Sequence, residues 1–195
     1  LGTGGMIVAV LGWLDDRRGL PAMVRAAGYL IAAALGVWLS GGLPGVVIGS
    51  TAYELGWAGM PLGILGVAWL TNLYNFMDGA DGIAAVQGIS AGAFAAAMFA
   101  LAGLWGPAAL CTILAAACGG FLIFNWPPAR LFMGDAGSCL LGYSFGVLAL
   151  YGEQTGVVPL LAWLLLLLIF VTDASLTLAR RMLRGEKWYS PHRTH

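Results

Sequence analysis

From Gly82 to Ala129 the chain runs for 48 residues without one charged side chain. About 20 apolar residues suffice to cross a bilayer as a helix. In lipid every backbone N–H and C=O must be satisfied internally, so a run this long has to fold back on itself. It divides into candidate spans Ile83–Leu104 and Ala108–Phe124, with "WGP" as the turn. Composition agrees: hydrophobic residues make up 60%, charged residues 9%, and mean hydropathy is +0.87. A soluble domain carries about 25% charged residues, so these side chains are too few to coat a water-facing surface. The chain reads as an integral membrane protein, an all-α polytopic transmembrane helix bundle. Its 30 glycines suit close helix packing in lipid. Cys111, Cys118 and Cys139 fall in apolar stretches and read as small buried hydrophobes. Net charge is zero, and no basic tract points to nucleic acid.

About six full spans are expected, plus the end of one more. Leu1–Leu14 is the tail of a helix. Val24–Leu39 is a span, closed by "SGGLPG", and residues 40–60 hold "VVIGSTAYEL", a short hairpin or interfacial segment. Pro61–Met77 follows, opened by a proline suited to a first helical turn. After the uncharged run come Ser138–Tyr151 and Val157–Leu178, separated by "GEQTG", and then the basic tail "ARRMLRGEKWYSPHRTH". The first residue is Leu1 and the last, His195, lies in a polar stretch. Residues 1–195 therefore read as a single transmembrane domain, incomplete at both ends.

Crossing parity puts "DDRRGL" (15–20), "NFMDGADG" (75–82), "NWPPARLFMGD" (125–135) and the tail on one side. All nine Lys and Arg residues lie on that side, and the opposite loops carry only Glu54 and Glu153, which read as solvated loop charges. The positive-inside rule makes the shared side cytoplasmic.

That face also collects Asp15, Asp16, Asn75, Asp78, Asp81, Asp135, His192 and His195. Carboxylates at helix ends of a membrane protein are expensive unless solvated, paired or bound to a cation. Such oxygen ligands suit Mg²⁺ or Mn²⁺, and Mg²⁺ commonly combines one or two carboxylates with substrate phosphates. Basic neighbours suit a phosphate-bearing anion. The glycines of "MDGADG" favour a helix break near Asp78–Gly82 rather than a helix through residues 72–81. Each piece alone has a plainer role: a solvated "DD", an ordinary turn in "DGADG", Asp135 as a helix N-cap, a surface tail in "HRTH". Asp173 stands between a polar helix-end contact and a supporting role. Convergence on one face favours the joint reading.

With these residues in view, the sequence resembles the polyprenyl-phosphate N-acetylhexosamine-1-phosphate transferase family, glycosyltransferase family 4. The resemblance runs in order through "LGWLDDRRGL", "NLYNFMDGADGIA", "FNWPPARLFMGDAGSCLLG" and "PHRTH". It implies transfer of a sugar 1-phosphate from a UDP-N-acetylhexosamine to undecaprenyl phosphate with release of UMP, dependent on Mg²⁺ (or Mn²⁺). The setting it implies is the cytoplasmic face of a bacterial inner membrane, with a homodimer as an option. By position, Asp15 and Asp16 would lie near the lipid phosphate. Asp135 would be a principal Mg²⁺ ligand helped by Asp15 or Asn75, and Asp15, Asp16 and Asp135 would form the catalytic set. Asp81 and Phe132 would hold the uracil, Asp78 and Asn75 would order the nucleotide pocket, and His192, Arg193 and His195 would contact the sugar or pyrophosphate. The family's first spans, and a basic residue in their loop, have no counterpart here. "NFMDG" and "HRTH" differ from the pentapeptide-sugar branch, which reads "NLTDG" with adjacent histidines. They favour donors such as UDP-GlcNAc or a 6-deoxy relative, in O-antigen or related envelope polysaccharide synthesis; phospho-MurNAc-pentapeptide transfer is the alternative within the family.

A transporter is the main non-enzyme alternative, but its polar residues would gather near the bilayer midplane. "DDRRG" is not the "DDxxD" of soluble prenyl synthases, and no Ala-Arg follows Asp78-Gly79 at the spacing of CDP-alcohol enzymes.

Overall fold

The computed structural model describes residues 1–49, 51–173 and 176. In chain order the elements are α1 (Gly2–Arg18), α2 (Ala22–Ser40), β1 (Gly45–Ile48), β2 (Thr51–Glu54), a 3₁₀ turn (Gly56–Ala58), α3 (Gly59–Met77), α4 (Ile83–Leu101), α5 (Trp105–Asn125), α6 (Gly134–Thr155) and α7 (Leu160–Leu166). Helical residues resume at 168–173 after a one-residue interruption at Leu167.

Three helices, α2, α4 and α5, are long and apolar enough to cross a membrane by length and composition. The expectation of about six spans is met by only these three among the described residues. α3 and α6 have the length, 19 and 22 residues, but α3 carries Asn72 and Asn75 near its end, and α6 carries Asp135, Glu153 and Gln154. α1 ends in Asp15, Asp16, Arg17 and Arg18. The "DDRRGL" segment is thus mostly the last helical turn of α1, not a loop. The "WGP" turn is also displaced: Trp105, Gly106 and Pro107 open α5, and the chain reverses one step earlier, over residues 102–104. Proline is favoured in a first turn, where its missing N–H costs nothing. The hairpin and the break after Met77 stand where the sequence put them. β1 and β2 pair antiparallel from Gly45 opposite Glu54 to Ile48 opposite Thr51.

The spine of the bundle is α6. It packs on α3, α1 and α2, while α4 and α5 pack chiefly on each other. One core joins Val8, Val37, Val67 and Tyr143; the other joins Tyr74, Phe99, Phe145, Trp163 and Phe170. Small residues set the helix spacing: a Cβ at Gly142 would lie 2.6 Å from the Leu70 carbonyl oxygen and 2.8 Å from Thr71 Cα. Cys111, Cys118 and Cys139 are free and buried, as expected of small apolar residues.

Glu153 corrects its reading as a solvated loop charge. α6 continues through "GEQTG" to Thr155 and closes on Gly156 at φ 68°, which takes the glutamate indoors. Its carboxylate accepts the Val47 N–H at 2.7 Å and the Leu160 N–H, tying the hairpin to the start of α7. A buried carboxylate needs such donors, and strand and helix-start amides without helical partners supply them.

Overpacking a tight core costs about 1–3 kcal/mol, and two of the three nearest atoms facing Gly142 are backbone and the third is Tyr74 Cβ, none of which can step aside. Gly142→Val is expected to lower the thermal midpoint of detergent-solubilised protein by several degrees, whereas Gly120→Val, with nothing within 4 Å of its Cβ position, leaves it in place. Equal midpoints for the two variants would contradict the close α3–α6 contact.

Candidate active site

At one end of the bundle four segments meet around the first turn of α6. α1 arrives because Gly12 has no side chain: a Cβ there would sit 2.5 Å from the Ala136 nitrogen. This approach sets Asp16 against the start of α6, where its carboxylate accepts the Asp135 N–H at 2.9 Å and the Ala136 N–H at 3.4 Å. The first amides of a helix lack intrahelical partners and favour an anion. Asp16 thus supplies the cap that was only the plainer alternative for Asp135, which lies inside the helix after the N-cap residue Met133. Gly134 makes room at φ 69°; a Cβ would stand 2.8 Å from Asp16 Oδ2.

Asp15, one residue earlier, faces inward and is buried. Its Oδ1 accepts the Leu20 N–H at 2.6 Å, and its Oδ2 pairs with the Arg25 guanidinium at 2.6 Å. Burial alone would raise its pKa, but hydrogen bonds involving Asp135, Arg25 and the Leu20 amide outweigh it and hold Asp15 below the usual carboxylate range. The same guanidinium nitrogen lies 3.8 Å from Asp135 Oδ2.

α3 contributes from the opposite flank. Asn75 Nδ2 donates to Asp135 Oδ1 at 2.7 Å and to Ser138 Oγ at 3.1 Å, while Ser138 donates back to the Gly134 carbonyl at 2.9 Å. Asp135 is thus held between Asn75 and Arg25. Its pKa rises to about 6 because burial, then the neighbouring Asp15 and Asp16 carboxylates, disfavour its charge more than Asn75 supports it. Asp78 follows the last turn of α3, and burial, then the charges of Asp135 and Asp16, push it up to about 7. Two groups raised in this way mark a place where negative charge is under-compensated.

The loops on either side are clipped together. Asp81 accepts the Ala129 N–H at 2.9 Å. Buried Asn125, the last residue of α5, accepts the Gly82 N–H at 2.8 Å and donates to the Leu131 carbonyl at 2.8 Å. Phe132 is 73% exposed in the loop leading into α6.

Asp15, Asp16, Asn75 and Asp135 are therefore brought together, with Asp78 close enough to feel the charges of Asp135 and Asp16. Asp81 and Phe132 lie on the adjoining loops. His192, Arg193 and His195 fall outside the described residues. Among the described residues no three His, Cys, Asp or Glu side chains lie close enough to hold a metal by themselves. Reasoning from the sequence missed three members of the site: Arg25, Ser138 and Asn125. The signal for Arg25 is that it is the one charge in "AMVRAAGYLIAAALGVWLS", which the charge count by itself uses only to mark the membrane side. Asn125 stands before "WPP" at a helix end, a common place for a capping side chain. Ser138 carries no such signal.

The family-wide profile of Glycosyl transferase family 4 matches residues 1–153. The "Probable undecaprenyl-phosphate N-acetylglucosaminyl 1-phosphate transferase" of Bacillus subtilis is 34% identical over 200 residues, covering 99% of this chain and 55% of the relative. The "Decaprenyl-phosphate N-acetylglucosaminephosphotransferase" of Mycolicibacterium smegmatis is 30% identical, covering 99% of this chain and 53% of the relative. The "Phospho-N-acetylmuramoyl-pentapeptide-transferase" of Heliobacterium modesticaldum is 37% identical over 169 residues, 78% of this chain and 52% of the relative. The chain spans about half the length of the curated relatives it matches. With its acidic helix-end site and a profile match over most of its residues, the chain belongs to glycosyl transferase family 4.

Proposed function

We propose that the protein containing this chain transfers an N-acetylhexosamine 1-phosphate from a UDP-sugar to undecaprenyl phosphate, releasing UMP, in a Mg²⁺-dependent step of envelope polysaccharide synthesis. The observation that carries this reading is the position of Asp135. It opens α6, is held by Asn75 from α3 and faced by Arg25 from α2, while Asp16 from α1 caps the same turn. UDP-GlcNAc is the default donor and a 6-deoxy relative the next, as in O-antigen initiation. The pentapeptide-transferase relative at 37% identity supports a second reading, with UDP-MurNAc-pentapeptide as donor. The uneven Lys and Arg distribution supports a site on the cytoplasmic side.

The donor set suits Mg²⁺ or Mn²⁺. Asp135 offers its Oδ2 edge, Asn75 its side-chain carbonyl and Asp78 a carboxylate whose charge has no ion-pair partner among the described residues. Mg²⁺ typically completes one or two carboxylates with substrate phosphate oxygens, so three protein acids are not required. When bound, the ion neutralises the pyrophosphate and the charge that develops on departing UMP.

The side chains do the positioning. Asp135 and Asn75 fix the pyrophosphate end of the donor, while Asp81 and Phe132 on the adjoining loops take the uracil. Asp15 stays ionised and holds Arg25 toward Asp135, where the guanidinium can meet a phosphate oxygen. The acceptor phosphate is already an anion, so Asp15 and Asp16 act by orienting it and the α6 turn rather than by removing a proton. His192, Arg193 and His195 supply contacts to the sugar or pyrophosphate. Phosphoryl transfer asks for positioning and charge neutralisation more than covalent help.

The deciding assay is UMP release by the intact protein in detergent with undecaprenyl phosphate, Mg²⁺ and a panel of UDP-sugars. Release that requires both lipid acceptor and metal is expected with an N-acetylhexosamine donor. Release only with the pentapeptide donor would select the second reading, and none with any donor would sink both. Asp135→Asn is expected to cut turnover at least ~100-fold, the scale for one lost electrostatic stabiliser, at undiminished expression; wild-type turnover would remove Asp135 from the metal site.

The raised pKa values of Asp135 and Asp78 fix the sign of a second test. Between about pH 4 and pH 7 the folded state keeps protons that the unfolded chain has lost, so these two groups erode stability as pH rises. A bound cation relieves that loss only when they are ionised. Added Mg²⁺ should raise the thermal midpoint clearly at pH 8 and hardly at pH 5; an equal shift at both would contradict the site.

A further inference from the structure

We infer that Gln87 is a positioning residue which fixes the break in the helical run at Leu167 and so sets where residues 168–173 are delivered. The inference rests on the transferase reading for its functional part and on geometry for the break at Leu167. Gln87 is the one amide in α4, a helix otherwise made of aliphatic, aromatic and small residues with Ser90. It is buried, and its Nε2 donates to the Leu166 carbonyl, 79 positions on, at 2.7 Å.

That carbonyl sits where α7 is interrupted. Leu167 leaves the helix at φ −96° and ψ 12°, and helical residues resume at 168. The ladder is bridged on either side by the Leu167 N–H to the Trp163 carbonyl and the Val171 N–H to the Leu167 carbonyl. An unpaired carbonyl surrounded by hydrocarbon is costly, and interruptions of a helix persist where a side chain inserts into the backbone ladder. Gln87 is that side chain.

A second contact links the break to the site. Tyr74 Oη donates to the Ala84 carbonyl, at the start of α4, at 2.8 Å. Its ring packs on Phe170, four residues past Leu166, with centroids 5.1 Å apart. Tyr74 immediately precedes Asn75, the partner of Asp135. α4 otherwise meets α3, α6 and α7 over a narrow area, so among the described residues these two hydrogen bonds tie α4 itself to α3 and to α7. The segment beyond the break contains Asp173 and leads in sequence to His192, Arg193 and His195.

In the intact protein, Gln87→Leu removes the donor at similar size. We expect kcat to fall at least tenfold. Ser90→Ala, which removes only a hydroxyl bonded to its own helix at the Gln87 carbonyl, should retain kcat. Spin labels at Val86→Cys and Ile169→Cys, both exposed, should give a narrow distance distribution that shifts or broadens with Gln87→Leu. An unchanged kcat, a fall matched by Ser90→Ala, or an unchanged distance distribution would overturn the inference. The labels read the break without turnover, so an inactive wild type would refute the transferase reading while the distances still decide the break.

Discussion

The close approach of α1 and α3 to α6 is the contact on which the remainder depends. In lipid there is little hydrophobic drive to bring two apolar helices together, so association comes from packing and from hydrogen bonds at points of near-contact. Gly12 meets the backbone at Ala136, and Gly142 meets the backbone at Leu70 and Thr71. Both contacts also carry chemistry. The first lays Asp16 on the opening amides of α6, and the second puts Asn75, one helical turn beyond Thr71, within reach of Asp135 and Ser138. A larger residue at either glycine would open the helix pair and separate the side chains of the site. Structural packing and site geometry here are one arrangement.

The polar residues placed among apolar ones follow a single rule, that of backbone satisfaction. Glu153 takes the amides of Val47 and Leu160, Asn125 takes the amide of Gly82 and the carbonyl of Leu131, and Gln87 takes the carbonyl of Leu166. Each stands where a helix or strand leaves a group its own ladder does not use. In water such groups would be met by solvent at little cost; in hydrocarbon they need a side chain. This explains why a chain with 9% charged residues retains polar residues at isolated positions within otherwise apolar helices.

Much of the bundle was legible in the sequence because its signals are local. The uncharged run gave α4 and α5, the glycines after Met77 gave the break, and "VVIGSTAYEL" gave the hairpin. Misreadings came where a local signal competed with a tertiary one. "GEQTG" has the composition of a loop, yet α6 runs through it because Glu153 finds buried amides to accept. "FMGD" suggests an aspartate cap, yet the cap comes from Asp16, 119 residues away. Arg25 has the local signal of a topology marker, whereas its role comes from Asp15 beside it. Site membership of this kind depends on which helices touch, and no local pattern encodes that.

The charge balance of the site has a direction. Asp15 has taken Arg25 as its partner, and Asp16 has taken the amides of α6. Asp135 and Asp78 are left with partial compensation, and their raised pKa values express it. Such a pair has two ways to settle: bind a proton, or bind a cation. A proton would quench the site for an anionic substrate's metal, whereas a divalent ion would overcompensate two half-satisfied carboxylates and leave positive charge facing outward. That residual charge, beside Arg25, is what a pyrophosphate would then meet. In the transferase reading proposed above, the aspartates would favour phosphate binding through a cation they retained, and a site built mostly of acids would select an anion.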